Sequence, residues 1–138
     1  MFIPPIHPSQ VVAPSREVYA YMGDANITAM IHDLYRELEK SSIRGMFSAD
    51  MHAAAERSAL FFIGLLGGPP LYHAKYGNPM MRARHMPFPI NQAGRDEWLA
   101  CFERVLDRAV ENYNFPAQHL AGFREFLRGF SLWMMNSE

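Results

Sequence analysis

The chain has 138 residues, a net charge of −1 and 49% hydrophobic residues, which suits one domain with a buried core. With no long basic run and no apolar stretch of the roughly eighteen residues a membrane helix needs, neither nucleic acid nor a membrane is an indicated partner. The single Cys101 excludes an intramolecular disulfide and any multiple-cysteine metal site, and the first residues lack a signal-peptide pattern, so a cytoplasmic protein is expected.

Residues 1–14 hold Pro4, Pro5, Pro8 and Pro14 without a helical period and read as an extended tail, leaving 15–138 as the folded domain. Ser15 can cap a short helix that runs to Met22 and stops at Gly23, with Asp24 capping the next. In that next helix Ile27, Met30, Ile31, Leu34, Tyr35 and Leu38 share one face. The Tyr35 hydroxyl, on this apolar stripe, needs a partner: either a backbone hydrogen bond or a group in a pocket.

Residues 41–50 break the pattern and form a turn that presents Phe47 inward. A helix over Met51–Leu66 follows, with Ala54 and Ser58 as small residues one turn apart on an otherwise bulky face. The space they leave admits either a close neighbouring helix or something other than protein. Gly67, Gly68, Pro69 and Pro70 end that helix, and the run to Tyr76 reads as a loop with one turn in it.

Asn78 as cap and Pro79 at the first helical position start a short helix that must end before Pro87, with His85 on its last turn among Met81, Met86 and Phe88. An imidazole on a short rigid helix in an apolar wall is what a haem ligand requires, and a lone histidine is also a common surface or capping residue. Asn91 caps a long helix bearing Trp98, Phe102, Val105, Leu106, Ala109, Val110 and Tyr113, which breaks at Asn114, Phe115 and Pro116. The last helix, from about Pro116 to Met135, packs Leu120, Phe123, Leu127, Phe130 and Met134. No strand pattern or repeat is visible, so the fold class is all-α. Ten methionines and ten phenylalanines suit a pocket around a large flat apolar ligand, or equally an adaptable core.

The segment GGPPLYHAKYGNPMMRARHMPFPI, followed by RDEWLACFERVL, resembles the truncated haemoglobins, and within them the group II branch. The elements that carry the resemblance are Gly67, Gly68 and Pro69, then Arg82, Arg84, His85, Pro87 and Phe88, then Trp98, in order and at compatible spacing. It runs from about Tyr19 to the end of the last helix. It implies a two-over-two helical sandwich around haem b, with His85 as the iron ligand. Tyr35 and Trp98 match the family's distal hydrogen-bond donors, Phe47 its aromatic turn position, and Ala54 the small residue that stands over the ligand. Arg57 and Arg84 match residues that reach haem propionates, although solvated surface arginines are the plain alternative. Phe61, Phe62, Tyr72, Met81, Phe88 and Trp98 are expected to line the haem. Ser58 departs from the family, which more often carries a large apolar side chain there, and its hydroxyl adds a third polar group to the distal set.

A hydrogen bond to a charged ligand is worth about 1.5 to 3 kcal/mol, so each distal donor slows release by roughly ten- to a hundredfold. The resemblance therefore implies a protein that binds O2, NO and CO and uses an unidentified reductant for nitric oxide or peroxide chemistry, rather than an O2 carrier. A gas sensor or ligand reservoir without turnover, and a haem-free helical interaction domain, are the competing readings. His52 lies off the face of Ala54, so no histidine is expected as a sixth ligand, and His7, His32, His73 and His119 are expected to be exposed without a special role. The chain is expected to be a monomer or homodimer.

Overall fold

The structure is a computed structural model that describes residues 2–138. Among them are seven α-helices and no strand: α1 Val18–Glu39, α2 Met51–Leu65, α3 Leu71–Tyr76, α4 Met81–His85, α5 Gln92–Leu106, α6 Ala109–Tyr113 and α7 Leu120–Met134. α1 packs mainly on α2, and α5 on both α1 and α7. The two pairs meet through a triangle of buried rings, with centroid separations of 5.7 Å for Phe62–Phe102, 6.0 Å for Phe62–Phe123 and 5.7 Å for Phe102–Phe123. Such edge-to-face pairs add about 0.5 to 1.5 kcal/mol each to the gain from burial.

The break expected at Gly23 is present: its φ of 74° and ψ of 173° interrupt α1, and the Tyr19 hydroxyl donates to Asp24 Oδ1 at 2.7 Å across it. The cap expected at Asn91 forms, its side-chain oxygen accepting from Gly94 N–H at 2.9 Å, and Asp50 caps α2 in the same way, accepting from Ala53 N–H at 3.0 Å. The residues after α2 also explain their glycines. A Cβ on Gly67, whose φ is +107°, would fall 1.7 Å from the Arg16 carbonyl oxygen, and one on Gly68 would fall 2.6 Å from the Tyr19 ring. Two side-chain-free residues let the start of α1 cross the end of α2 at contact distance, where Tyr19 N–H donates to Leu66 O at 2.9 Å.

Four local expectations are corrected. Residues 71–76 form a six-residue helix rather than a loop with a single turn, because Pro70 is followed by residues with no breaker until Gly77. α4 starts at Met81, since the Asn78 side chain turns back to accept from Met80 N–H at 3.3 Å and Met80 adopts a left-handed conformation. The long helix after Asn91 divides into α5 and α6 at Asp107–Arg108, which leaves Val110 exposed. The N-terminal segment is largely extended but stays close to the domain. Pro14 is buried, Val11 packs against the core, and a Cβ on Gly129 of α7 would lie 3.5 Å from Val11 Cα.

Candidate functional site

A cavity of about 370 Å³ opens between α1, α2, α4, α5 and α7. This is within the range of small-molecule and cofactor sites. His85 lines it from the end of α4, and its Nδ1 lies 2.6 Å from the Met81 carbonyl oxygen. A carbonyl only accepts, so in the neutral imidazole Nδ1 carries the proton and Nε2 keeps a free lone pair. A backbone carbonyl holding one ring nitrogen while the other is left for a metal is the arrangement that metal-binding imidazoles use.

The short helix beneath this imidazole is pinned from the far end of the chain. Arg82 donates to the carbonyls of Trp133 and Met135 at 3.0 and 3.2 Å and lies 5.0 Å over the Trp133 ring. Asn136 donates to the carbonyls of His85 and Phe88 at 3.1 and 2.9 Å and accepts from Ile90 N–H at 2.8 Å. Pro87 and Pro89 cannot donate backbone hydrogen bonds, so this loop relies on the Asn136 side chain instead.

α2 contributes Ala54, Arg57, Ser58, Phe61 and Phe62 to the cavity, α1 Tyr35, and the following turn Phe47. Tyr72 of α3, Met81 and Arg84 of α4, Phe88 and Trp98 complete the set anticipated from sequence, and every one of those side chains reaches this one cavity. Phe62 serves the core triangle as well. The walls are aromatic: Tyr35 meets Phe47 at 5.8 Å, Phe61 meets Tyr72 and Phe130 each at 6.1 Å, and Trp98 meets Phe102 at 5.3 Å. Burial pushes the Tyr35 phenol above its ordinary pKa, opposed by the Ser58 hydroxyl and by the Arg57 charge. Tyr35 therefore stays a hydroxyl donor throughout the physiological range.

The arginines differ. Both Arg57 and Arg84 are exposed, but Arg84 is anchored: it donates to the carbonyls of Pro79 and Tyr76 at 2.7 and 3.3 Å and lies 5.8 Å over the Tyr72 ring. Arg95 is a cavity cation the sequence reading missed. Its side chain is 13% exposed, and it donates to Ser131 Oγ at 3.0 Å and to the Arg128 carbonyl at 3.2 Å. Burial lowers its pKa, as expected for a charge drawn out of water. Its place one turn before Trp98 on α5 was the available signal. Ser131, the single buried polar residue among the described residues, and Asn136 gave none, because their partners are distant in sequence.

The His52 side chain is 78% exposed and lines no part of the cavity. Two histidines expected on the surface are mostly covered instead: the side chains of His32 and His119 are 19% and 21% exposed, held by Glu56 and Glu17.

The sequence profile of the family described as "Bacterial-like globin" matches residues 17–130. The chain belongs to that family. Its relatives place it in the group II truncated haemoglobins. It is 33% identical over 90 residues to the Group 2 truncated hemoglobin YjbI of Bacillus subtilis, a match that covers 64% of this chain and 68% of that protein. The crystal structure of phosphate-bound Hell's gate globin IV superposes with a TM-score of 0.85 at 32% identity, over 99% of this chain and 84% of that one. The X-ray structure of truncated oxygen-avid haemoglobin from Bacillus subtilis superposes with a TM-score of 0.74 at 28% identity, over 86% of this chain and 98% of that one. Globins of this family bind haem, and the donor set of this cavity fits it: an oriented imidazole, an apolar aromatic wall and cationic side chains at the margins. No helix of the described residues is long and apolar enough to cross a membrane.

Proposed function

We propose that this protein holds haem b through His85 Nε2 and binds O2 and other small diatomic ligands, NO and CO among them, for nitric oxide detoxification or peroxide chemistry rather than O2 transport. The observation that carries the reading is the Nδ1–H of His85 fixed on the Met81 carbonyl at the edge of an aromatic cavity. Bound haem supplies an iron with a coordination position open to a small ligand and the capacity to exchange electrons.

The protein's part is orientation, donation and exclusion of water. The Asn136 and Arg82 contacts hold the His85 backbone, so an iron bound there would find its imidazole ligand already oriented. The Tyr35 hydroxyl, the Ser58 hydroxyl and the Trp98 indole N–H are the donors available to a ligand that gains negative charge, and an indole N–H only donates. Phe47, Phe61, Phe62, Tyr72, Met81 and Phe88, which line the cavity, would surround the ring system, and the small Ala54 would leave room for the ligand. Arg57, Arg84 and Arg95 are the cations in reach of carboxylates at the margin. Three donors favour retention over release, which suits reaction on the protein and opposes delivery. The oxygen-avid relative from Bacillus subtilis supports the same reading.

The lone buried Cys101, whose thiol burial pushes up, suits the reducing cytoplasm, where we place the protein and its reductant. The test is rapid mixing of the reduced, O2-saturated protein with nitric oxide, with peroxide consumption under a reductant as a second arm. Nitrate formation faster than O2 release, or reductant-dependent loss of peroxide, is the expected result. Simple displacement of O2 with no nitrate, together with no peroxide turnover, would contradict it.

A further inference from the structure

Away from the cavity, on the outer side of the α1–α2 contact, His32, His52 and Glu56 converge. Their ligand atoms all lie within 4.8 Å of one another. His52 and Glu56 are four residues apart on α2 and so share a face, and α1, the principal partner of α2, brings His32 over them. His32 Nε2 stands 2.7 Å and His52 Nε2 3.8 Å from the same oxygen, Glu56 Oε1, with the two rings 5.1 Å apart at 51°.

We propose that these three residues form a surface site for a divalent transition-metal cation of the zinc, copper or nickel type. An ion pair with Glu56 needs only one imidazole, and here two are aimed at a single carboxylate oxygen. In a tetrahedral site with bonds of about 2.0 to 2.1 Å, neighbouring donor atoms sit about 3.3 Å apart, and the 2.7 and 3.8 Å separations straddle that value. His52 is 78% exposed, so rotation of its side chain closes the set without moving either helix. Two nitrogen donors and one oxygen donor select transition metals over magnesium or calcium, which prefer oxygen. A fourth position is left to water.

Bound metal joins the two helices that carry the distal groups: His32 lies one turn before Tyr35 on α1, and His52 and Glu56 alternate along α2 with Ala54 and Ser58. The site therefore acts as a clamp across the roof of the cavity. It stands on its own residues and does not depend on what the cavity holds.

Calorimetric titration of the tag-free protein, as purified, with zinc chloride tests the site, with magnesium chloride as the comparison. One zinc per chain is expected, no magnesium, and a thermal midpoint that rises with zinc. His52→Ala and Glu56→Gln, both at exposed positions where folding is not at stake, should weaken zinc binding by more than about tenfold and abolish the thermal shift, while His73→Ala leaves both intact. Absence of saturable one-to-one zinc binding, or binding that survives His52→Ala unchanged, would overturn the proposal.

Discussion

The Asn136 side-chain amide donates to the His85 carbonyl oxygen at 3.1 Å, tying the last residues of the chain to the one imidazole in the cavity. The same side chain makes two further bonds, to Phe88 and Ile90, so its removal leaves a proline-rich loop without its staple. Asn136→Ala is expected to lower stability by about 2 kcal/mol in urea denaturation, at roughly 1 kcal/mol or less per bond lost. Transfer of haem to an acceptor apoprotein should also become faster. An unchanged denaturation midpoint and transfer rate would show that the loop holds itself.

Tyr35 stands in the cavity with its ring against Phe47, and its phenol is kept protonated by burial. Tyr35→Phe removes a donor but not the packing, so O2 release by stopped flow should accelerate by roughly ten- to a hundredfold. Because the folded-state pKa lies above the ordinary value of about 10, the donor is intact below that pH and is lost only as pH rises through the shifted value. Release from the wild type should therefore be flat between about pH 6 and 9 as far as this group is concerned. A release rate insensitive to Tyr35→Phe would remove the phenol from the scheme.

Arg57 and Arg95 both reach the cavity, but Arg95 is fixed by Ser131 and the Arg128 carbonyl while Arg57 is exposed. A bound carboxylate gains more from the preorganised, partly desolvated cation. Arg95→Met is expected to speed haem loss by about tenfold or more, and Arg57→Met by less than about fivefold. The reverse order, measured by haem transfer, would assign the anchoring role to Arg57.

Much of the helical framework was legible because its signals are local. The Asn91 cap, the Gly23 break and the apolar stripe of α1 each depend on residues a turn apart. The cavity residues were legible through the resemblance, since nothing in the periodicity of α2 separates Ala54 and Ser58 as packing contacts from Ala54 and Ser58 as cavity wall. Asn136, Arg95 and the His32 cluster stayed hidden for a different reason. Asn136 acts across 51 residues to reach His85, Arg95 across 36 to reach Ser131, and His32 across 24 to reach Glu56. Only the packing of α7 on α4 and α5, and of α1 on α2, brings them together. Conversely, the strong cap signal at Asn78 was overridden two residues on by the left-handed backbone of Met80.

Gly67 illustrates a residue whose role is purely geometric. Its φ of +107° and the Arg16 carbonyl against its Cα leave no space for a methyl group. Gly67→Ala combines backbone strain with overpacking and is expected to cost about 3 kcal/mol, or roughly 10 °C in thermal midpoint. A midpoint within about 2 °C of the wild type would mean that the start of α1 moves away from α2 without penalty.

Haem retention by this protein depends on the free nitrogen of one imidazole. Absorbance spectra of the purified protein and of His85→Ala, each with haem supplied in excess and then passed through a desalting column, examine it most directly. The wild type is predicted to retain one haem per chain with an intense Soret band, and His85→Ala to lose that band and recover it in part when free imidazole is added. A wild-type protein that emerges colourless, or a His85→Ala variant that retains haem with the same spectrum, would contradict it.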